Sequence, residues 1–430
     1  MLRSLYTAVS GVLAHQTYLD VTGHNVSNVN TVGFKRDVVQ FADMLYQTKR
    51  NEAGPVSPPG GVNPAQVGLG VRTASISPNF VQGALQMTEI PTDMAIQGEG
   101  FFIVSDGKQN LYTRAGNFAL DRDGNLVMQG NGYMVQGYQY NGTELAGALS
   151  SVNIPIGDVM PAKATTNAMF RSNLDSRSPV AAEDIVSHKD MFTVYYDEQN
   201  KPIHMAVEFR KAYERPADPT GDPPTDFEIG WSWRAYFVDS TGAVLPYGGG
   251  EGELTFGPNG NLTSGNSGSV TANFGSIPGG ANGSIAMDFN GLTGFASNST
   301  ARMYDNDGYR SGSLTGWSTS DYGLISGMYT NGQTRPVAEI PLATFRNPQG
   351  LTQVGKTCFA VSANSGQPNI RAAGWEGVVG LIKGRTIEMS NVDLSEEFVN
   401  LIRSQRGLQA NSRAVTTSDR ILEVTLGLKR

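Results

Sequence analysis

SNVDLSEEFVNLIRSQRGLQANSRAVTTSDRILEVTLGLKR, residues 390–430, decides how this chain is read. Leu394, Leu401, Leu408, Val415 and Leu422 recur every seven residues, with Phe398 and Leu426 beside them, and no proline interrupts the run. A heptad of this kind makes a narrow apolar stripe, which suits pairing with another helix better than it suits a broad core contact. Asp393 followed by Glu396 supplies an N-cap and capping box, which starts the helix just after Asn391 and Val392. Gly407, Gly427 and the polar residues Gln405, Ser412 and Asp419, read as seam positions, weaken the stripe, so full order is expected only with assembly.

The other end of the chain repeats the pattern. From Met1 to Gly54 there is no proline, and Leu2, Leu5, Val9, Val12 and Leu19 follow a helical period, interrupted by Gln16. A single amphipathic helix would pack on its own globular core. Two narrow seams at opposite termini point instead to helices that pack on each other and on neighbouring copies.

Between the ends the period changes to alternating strands and turns. In NFALDRDGNLVMQGNGYMVQGY, Asp123-Gly124 and Asn131-Gly132 are hairpin signals. Strand-like MFTVYYD, HMAVEFR and WSWRAYFVD are separated by the loop PADPTGDPPTD. The expected class is α+β and multidomain, with a terminal helical coiled-coil region and nested, mainly antiparallel β domains. The expected boundaries are 1–30 with 391–430 for the terminal helices, 31–70 with 384–390 for connecting segments, 71–150 with 307–383 for an inner β domain, and 151–306 for an outer, inserted one. Residues 49–67, with Pro55, Pro58, Pro59 and Pro64, are expected to form an extended arm and not a helix.

Bulk composition narrows the function. Hydrophobic residues make up 39% and charged residues 17% of 430 positions, a globular balance, and Gly 52 with Pro 21 fits many short strands and turns. A formal net charge of -7 with no basic block argues against nucleic-acid binding. No apolar run reaches the length of a membrane span, and the N-terminus lacks the apolar region of a cleaved signal. The one cysteine, Cys358, reads as a buried inert thiol.

Enzyme readings are weak. His15, His24, His188 and His204 are scattered, without a metal-ligand spacing, and no cofactor is expected. Asp121, Asp123 and Asn125, like Asp305, Asp307 and Gly308, read as turns because their spacing fails the calcium-loop pattern. The Gly68–Gly70 and Gly98–Gly100 fragments read as turns or close backbone approaches, not as a phosphate cradle. Trp231, Trp233, Trp317 and Trp375 on a β scaffold suit a carbohydrate-active enzyme, but core packing is the stronger reading and no acid/base pair is assignable.

The run from Ser4 to Asp37, with Asn25, Asn28, Asn30, Thr31, Gly33, Phe34 and Lys35 at its end, resembles the N-terminal signature of the bacterial flagellar rod and hook family. The C-terminal run is similar to its other signature, through Ser390, Asn391, Asp393, Gln405 and Arg406. MAIQGEGFFIV (94–104) and YTRAGNF (112–118) resemble the inner β domain of those proteins, whose second half returns in residues 331–351. The added domain at 151–306 favours the hook branch over the distal rod branch. The resemblance implies a non-enzymatic subunit that self-assembles into a curved, torque-transmitting tube. In it, Leu2, Leu5, Val9, Val12, Leu19, Leu394, Phe398, Leu401, Leu408, Val415, Leu422 and Leu426 would form subunit contacts around the inner tube. It also implies partners in the flagellar rod, the hook cap, the hook-filament junction proteins and the type III export apparatus. The place of work would be the basal body and hook, outside the cytoplasmic membrane, extracellular or periplasmic.

Overall fold

The computed structural model describes residues 2–52, 54, 61–142, 144–180, 186–195, 202–216, 227–239, 241–273, 282–377 and 379–427. Pro55, Pro58, Pro59 and nearly all of the loop PADPTGDPPTD lie outside the described residues. The chain divides into two compact units, one of residues 1–156, 317–327 and 334–430, the other of 157–316 with 328–333.

The first unit begins and ends in helix. Helix α1 spans Leu2–Ser27 and helix α2 spans Leu394–Gly427. They run antiparallel: Ser4 meets Ser418, Gly11 meets Asn411, His15 meets Gly407 and Asn25 meets Glu397, each step along α1 matched by an equal step back along α2. Asp393 caps α2, its Oδ1 accepting from the N–H groups of Ser395 at 2.8 Å and Glu396 at 3.4 Å. The capping box is not completed, because the Glu396 carboxylate turns to Arg36 at 2.6 Å instead.

After α1 the chain runs out along Asp37–Asp43 and Tyr46–Arg50 and returns along Ala65–Gly68 and Val71–Pro78, pairing antiparallel both ways. Where residues 49–67 are described, Arg50 pairs with Ala65, and Gln66 and Val67 pair with Thr48 and Gln47, so the backbone there is extended, as expected, and pairing satisfies groups that a lone extended segment leaves open.

The inner β domain interleaves early and late strands. Phe102–Ser105 pairs with Asn110–Thr113 and with Met134–Asn141, Cys358–Ala360 adds to Asn110–Thr113, and Leu381–Gly384 pairs with Met94–Gln97. Met94, Ile96, Phe102, Ile103, Leu111 and Phe118 are fully buried there. The Asp123-Gly124 turn joins Phe118–Leu120 to Leu126–Met128, with Gly124 at φ +82°. Its Asp121 carboxylate accepts from the backbone of Asp123 and Asn125, which is a turn's work.

The second unit is a β sandwich. A five-stranded sheet runs His188–Tyr195, Pro202–Pro216, Phe227–Val238, Val244–Phe256, Leu262–Ser264. A four-stranded sheet runs Ser267–Asn273, Asn282–Thr293, Asn167–Asn173, Arg302–Asn306, with Asn167–Asn173 parallel to Asn282–Thr293. One apolar cluster draws on both, including Phe170, Phe209, Trp231, Phe256 and Phe289. Trp231 and Trp233 are core residues, as their neighbours in sequence lead one to expect. Trp375, in the first unit, departs from that expectation and is 54% exposed.

Candidate assembly surfaces and the junction behind them

The seam between α1 and α2 is made of small and polar side chains. Ala8, Gly11, Ala14, Thr22 and Asn25 are buried on α1, and Glu397, Ser404 and Ser418 on α2. A Cβ on Gly11 would lie 2.5 Å from the Asn411 side chain, and one on Gly407 would lie 2.5 Å from the His15 ring. Gly407 is thus a point of close helix approach and not a weakness of the seam. The polar seam positions are Ser404, Asn411 and Ser418, one residue before the expected Gln405, Ser412 and Asp419, which are exposed.

The apolar heptad occupies the flank of this seam. Leu5, Val12, Leu19, Leu401, Leu408, Val415 and Leu422 are half-buried, whereas Val9, Leu394 and Phe398 are exposed. The side chains of Leu2 and Leu426 lie outside the described residues. Tyr6, Leu13, Val399, Ile402, Ile421 and Val424 add to the exposed apolar surface of the pair. Sequence reasoning missed these six because they fall outside a strict heptad.

The residues of the N-terminal signature build a junction. Buried Asn25 exchanges two hydrogen bonds with the backbone of Asp37, both 2.9 Å, and donates to Glu397 at 3.3 Å. Asn28 closes the end of α1, donating to His24 O at 2.9 Å and accepting from Thr31 Oγ1 at 3.1 Å. Gly33 sits at φ +68° with its N–H on Glu388 O at 2.7 Å, and a Cβ there would lie 2.4 Å from the backbone of Ala115. Only glycine meets both demands. Phe34 packs edge-on against His24. Asn391 ties the C-terminal side, donating to Asn79 O and Val81 O and accepting from the Arg36 N–H. Ser390 accepts from the Val392 N–H at 3.3 Å. Asn30, Gln405 and Arg406 are exposed and take no part in this network.

The centre of the junction is Glu388, which the sequence marked only as part of the connecting segment 384–390. Its Oε1 accepts from Lys35 Nζ at 2.6 Å and from the Gly83 N–H at 2.8 Å, and both charged side chains are 0% exposed. Arg114 Nη1 stands 3.7 Å from Glu388 Oε2, too far for a hydrogen bond. Burial holds Lys35 below its ordinary value, opposed by the attraction of Glu388, and burial likewise lowers Arg114. Removing one member of such a buried set strands a charge, at about 3–5 kcal/mol. The junction thereby fixes the end of α1, the start of α2 and the first β strands as one piece.

Cys358 is buried, and burial pushes its thiol up to about 11, which suits an inert side chain. Among the described residues no group of acidic, histidine and cysteine side chains has the arrangement of a metal site, and no helix is long and apolar enough to cross a membrane.

Four family models match the chain in order. They are the flagella basal body rod protein at residues 5–35, the flagellar hook protein FlgE/F/G D1 domain at 95–168, the flagellar basal body protein FlaE D2 domain at 173–309, and the flagellar basal body rod FlgEFG protein C-terminal at 383–428. A Borreliella burgdorferi protein named flagellar hook protein FlgE is 36% identical over 100% of both chains, and one of the same name from Treponema pallidum is 37% identical over 100% of both. The crystal structure of Helicobacter pylori flagellar hook protein FlgE2 shares the fold, with a TM-score of 0.55 at 14% identity over 71% of this chain and 100% of that one. Full-length similarity at this level, with the domain models in the same order, means that the chain belongs to the flagellar hook protein family.

Proposed function

We propose that this chain is the structural subunit of a bacterial flagellar hook, polymerising into a curved, flexible tube that carries torque from rod to filament. The carrying observation is the terminal helix pair. Its inner seam is closed by small and polar residues, while Tyr6, Val9, Leu13, Phe398, Val399 and Ile402 face outward. Outward apolar rows on a two-helix ribbon are a liability in a monomer and a contact surface in a polymer. In this reading the helices of 1–30 and 391–430 line the inner tube, 31–70 and 384–390 connect, and 71–150 with 307–383 form the inner wall. Residues 151–306 are the outer domain, whose polar contacts slide as the tube rotates.

The half-buried Leu401, Leu408, Val415 and Leu422 serve both the intrachain pair and the next copy. Rod, cap and hook-filament junction proteins are the partners at the ends of the tube, the type III export apparatus delivers the chain, and the site of work lies outside the cytoplasmic membrane. Nothing in this role calls for catalysis or a cofactor. Electron microscopy of the concentrated, purified protein tests it. Curved tubes are expected. Straight rods alone would assign the chain to the distal rod, and discrete particles at every concentration and salt would overturn assembly itself.

A further inference from the structure

The first unit carries a cavity of about 420 Å³ that the junction leaves open. Phe80, Phe101 and Phe345 wall it, with Phe80 and Phe345 edge-on to Phe101 at 5.2 and 5.8 Å. Arg114 reaches it from beneath. This side chain is 4% exposed, and only its Nη2 is satisfied, by Gly98 O at 2.7 Å; Nε and Nη1 have no hydrogen-bond partner. Arg346 stands exposed at the rim, as does Glu99. An aromatic cavity of this size with two guanidinium groups against one carboxylate suits an aromatic group followed by an acid.

The same unit displays such a group. Trp375 is 54% exposed beside Tyr322, which is 64% exposed, at a turn that follows Gly374 at φ +74°. Glu376 is held at φ +35°, a conformation that non-glycine residues rarely adopt. Among the described residues neither Glu376 nor Arg346 has a side-chain hydrogen bond or ion pair. Among the described residues the protein thus presents an uncovered tryptophan beside an acid without an ion pair, and an aromatic cavity edged by Arg346, also without one, and by Arg114, whose Nε and Nη1 lack hydrogen-bond acceptors although Nη1 lies 3.7 Å from Glu388.

We propose that the Trp375-Glu376 turn of one copy enters the Phe80, Phe101, Phe345 cavity of a second copy, with Glu376 between Arg346 and Arg114. The indole covers the phenyl rings, and the carboxylate satisfies donors that the isolated chain leaves without acceptors. Because the inserting turn and the receiving cavity are different patches of one surface, the contact is heterologous and propagates without closing into a dimer. This inference rests on the polymerisation proposed above and adds a contact in the β region to the one along the helices.

Charge exchange tests it. Glu376→Arg and Arg346→Glu are surface changes, so each full-length variant should keep the thermal transition of the wild type. Each alone places like charges in the contact and should raise the protein concentration needed for sedimentable polymer by about tenfold. Mixed one to one, the two variants present opposite charges at every contact, and assembly should return towards the wild-type concentration. Trp375→Ala should raise the threshold in the same way without any rescue by mixing. Assembly of either charge variant at the wild-type concentration, or failure of the mixture to improve on the single variants, would overturn the contact. Failure of the wild-type chain to polymerise at all would instead overturn the polymerisation on which it rests.

Discussion

Asp307 and Glu397 are two carboxylates whose surroundings act in opposite directions. Partial burial pushes Asp307 up, but hydrogen bonds from Thr166 Oγ1 and the Asn167 and Thr166 N–H groups, with Lys163 close by, outweigh it and hold Asp307 at about 2. Its contribution to stability is therefore present above its ordinary value of 3.8 and is lost as the pH falls through about 2. Asp307→Asn should lower the stability of the sandwich unit by roughly 2 kcal/mol at neutral pH, and the gap should close in strong acid. Glu397 shows the reverse case. Burial raises it above 4.5, and the attraction of Arg36 and the hydrogen bond from Asn25 do not offset that. Stability linked to its protonation is present below 4.5 and is lost as the pH rises through the folded value. Glu397→Gln should match the wild type in acid and melt higher at neutral pH, followed by helical circular dichroism. A neutral-pH melt at or below the wild type would mean that Arg36 dominates this site.

At the scale of elements, the α1–α2 seam shows what the sequence discloses and what it hides. Both helices, the Asp393 N-cap of α2 and its heptad period are legible, because leucine spacing reports a stripe directly. The seam itself is displaced from that stripe, onto Ser4, Ala8, Gly11 and His15 of α1 and Ser404, Gly407, Asn411 and Ser418 of α2. A reading that counts apolar residues passes over such positions, although they too repeat at steps of three, four and seven. Glu388 was invisible for a different reason, since its partners Lys35, Gly83 and Arg114 are remote in sequence and only the fold brings them together. Gly11→Leu tests the seam. The added side chain meets Asn411 and should force the helices apart, costing about 1–3 kcal/mol, whereas Gly11→Ala trades a milder clash against better helix propensity. The comparison is the temperature at which polymer dissociates. Equal values for Gly11→Leu and wild type would show that the two helices do not pack in this register.

The whole molecule poses the question of what the inserted sandwich does for the tube. The chain enters that unit through Val159–Met160 and leaves through Gly312–Thr319, and these strands pair, with Met160 opposite Gly312 and the Leu314 N–H on Asp158 O at 3.0 Å. Entry and exit are therefore neighbouring backbone, so a short Gly-Ser linker in place of residues 161–311 adds only a small loop-closure cost. The inner β domain should keep its fold, because its own strands supply its pairings: Met94–Gln97 with Leu381–Gly384, and Leu85–Met87 with Thr386–Glu388. Helices α1 and α2 and the junction at Glu388 are untouched by the deletion, so polymer should still form. What should disappear is curvature, since the outer contacts that lengthen and shorten around a bent tube are gone. Electron cryo-microscopy of the deletion polymer beside the full-length one reads the outcome. Straight or easily broken tubes are expected; a collapsed inner domain would refute the nesting, and unchanged curvature would refute the bending role of the sandwich.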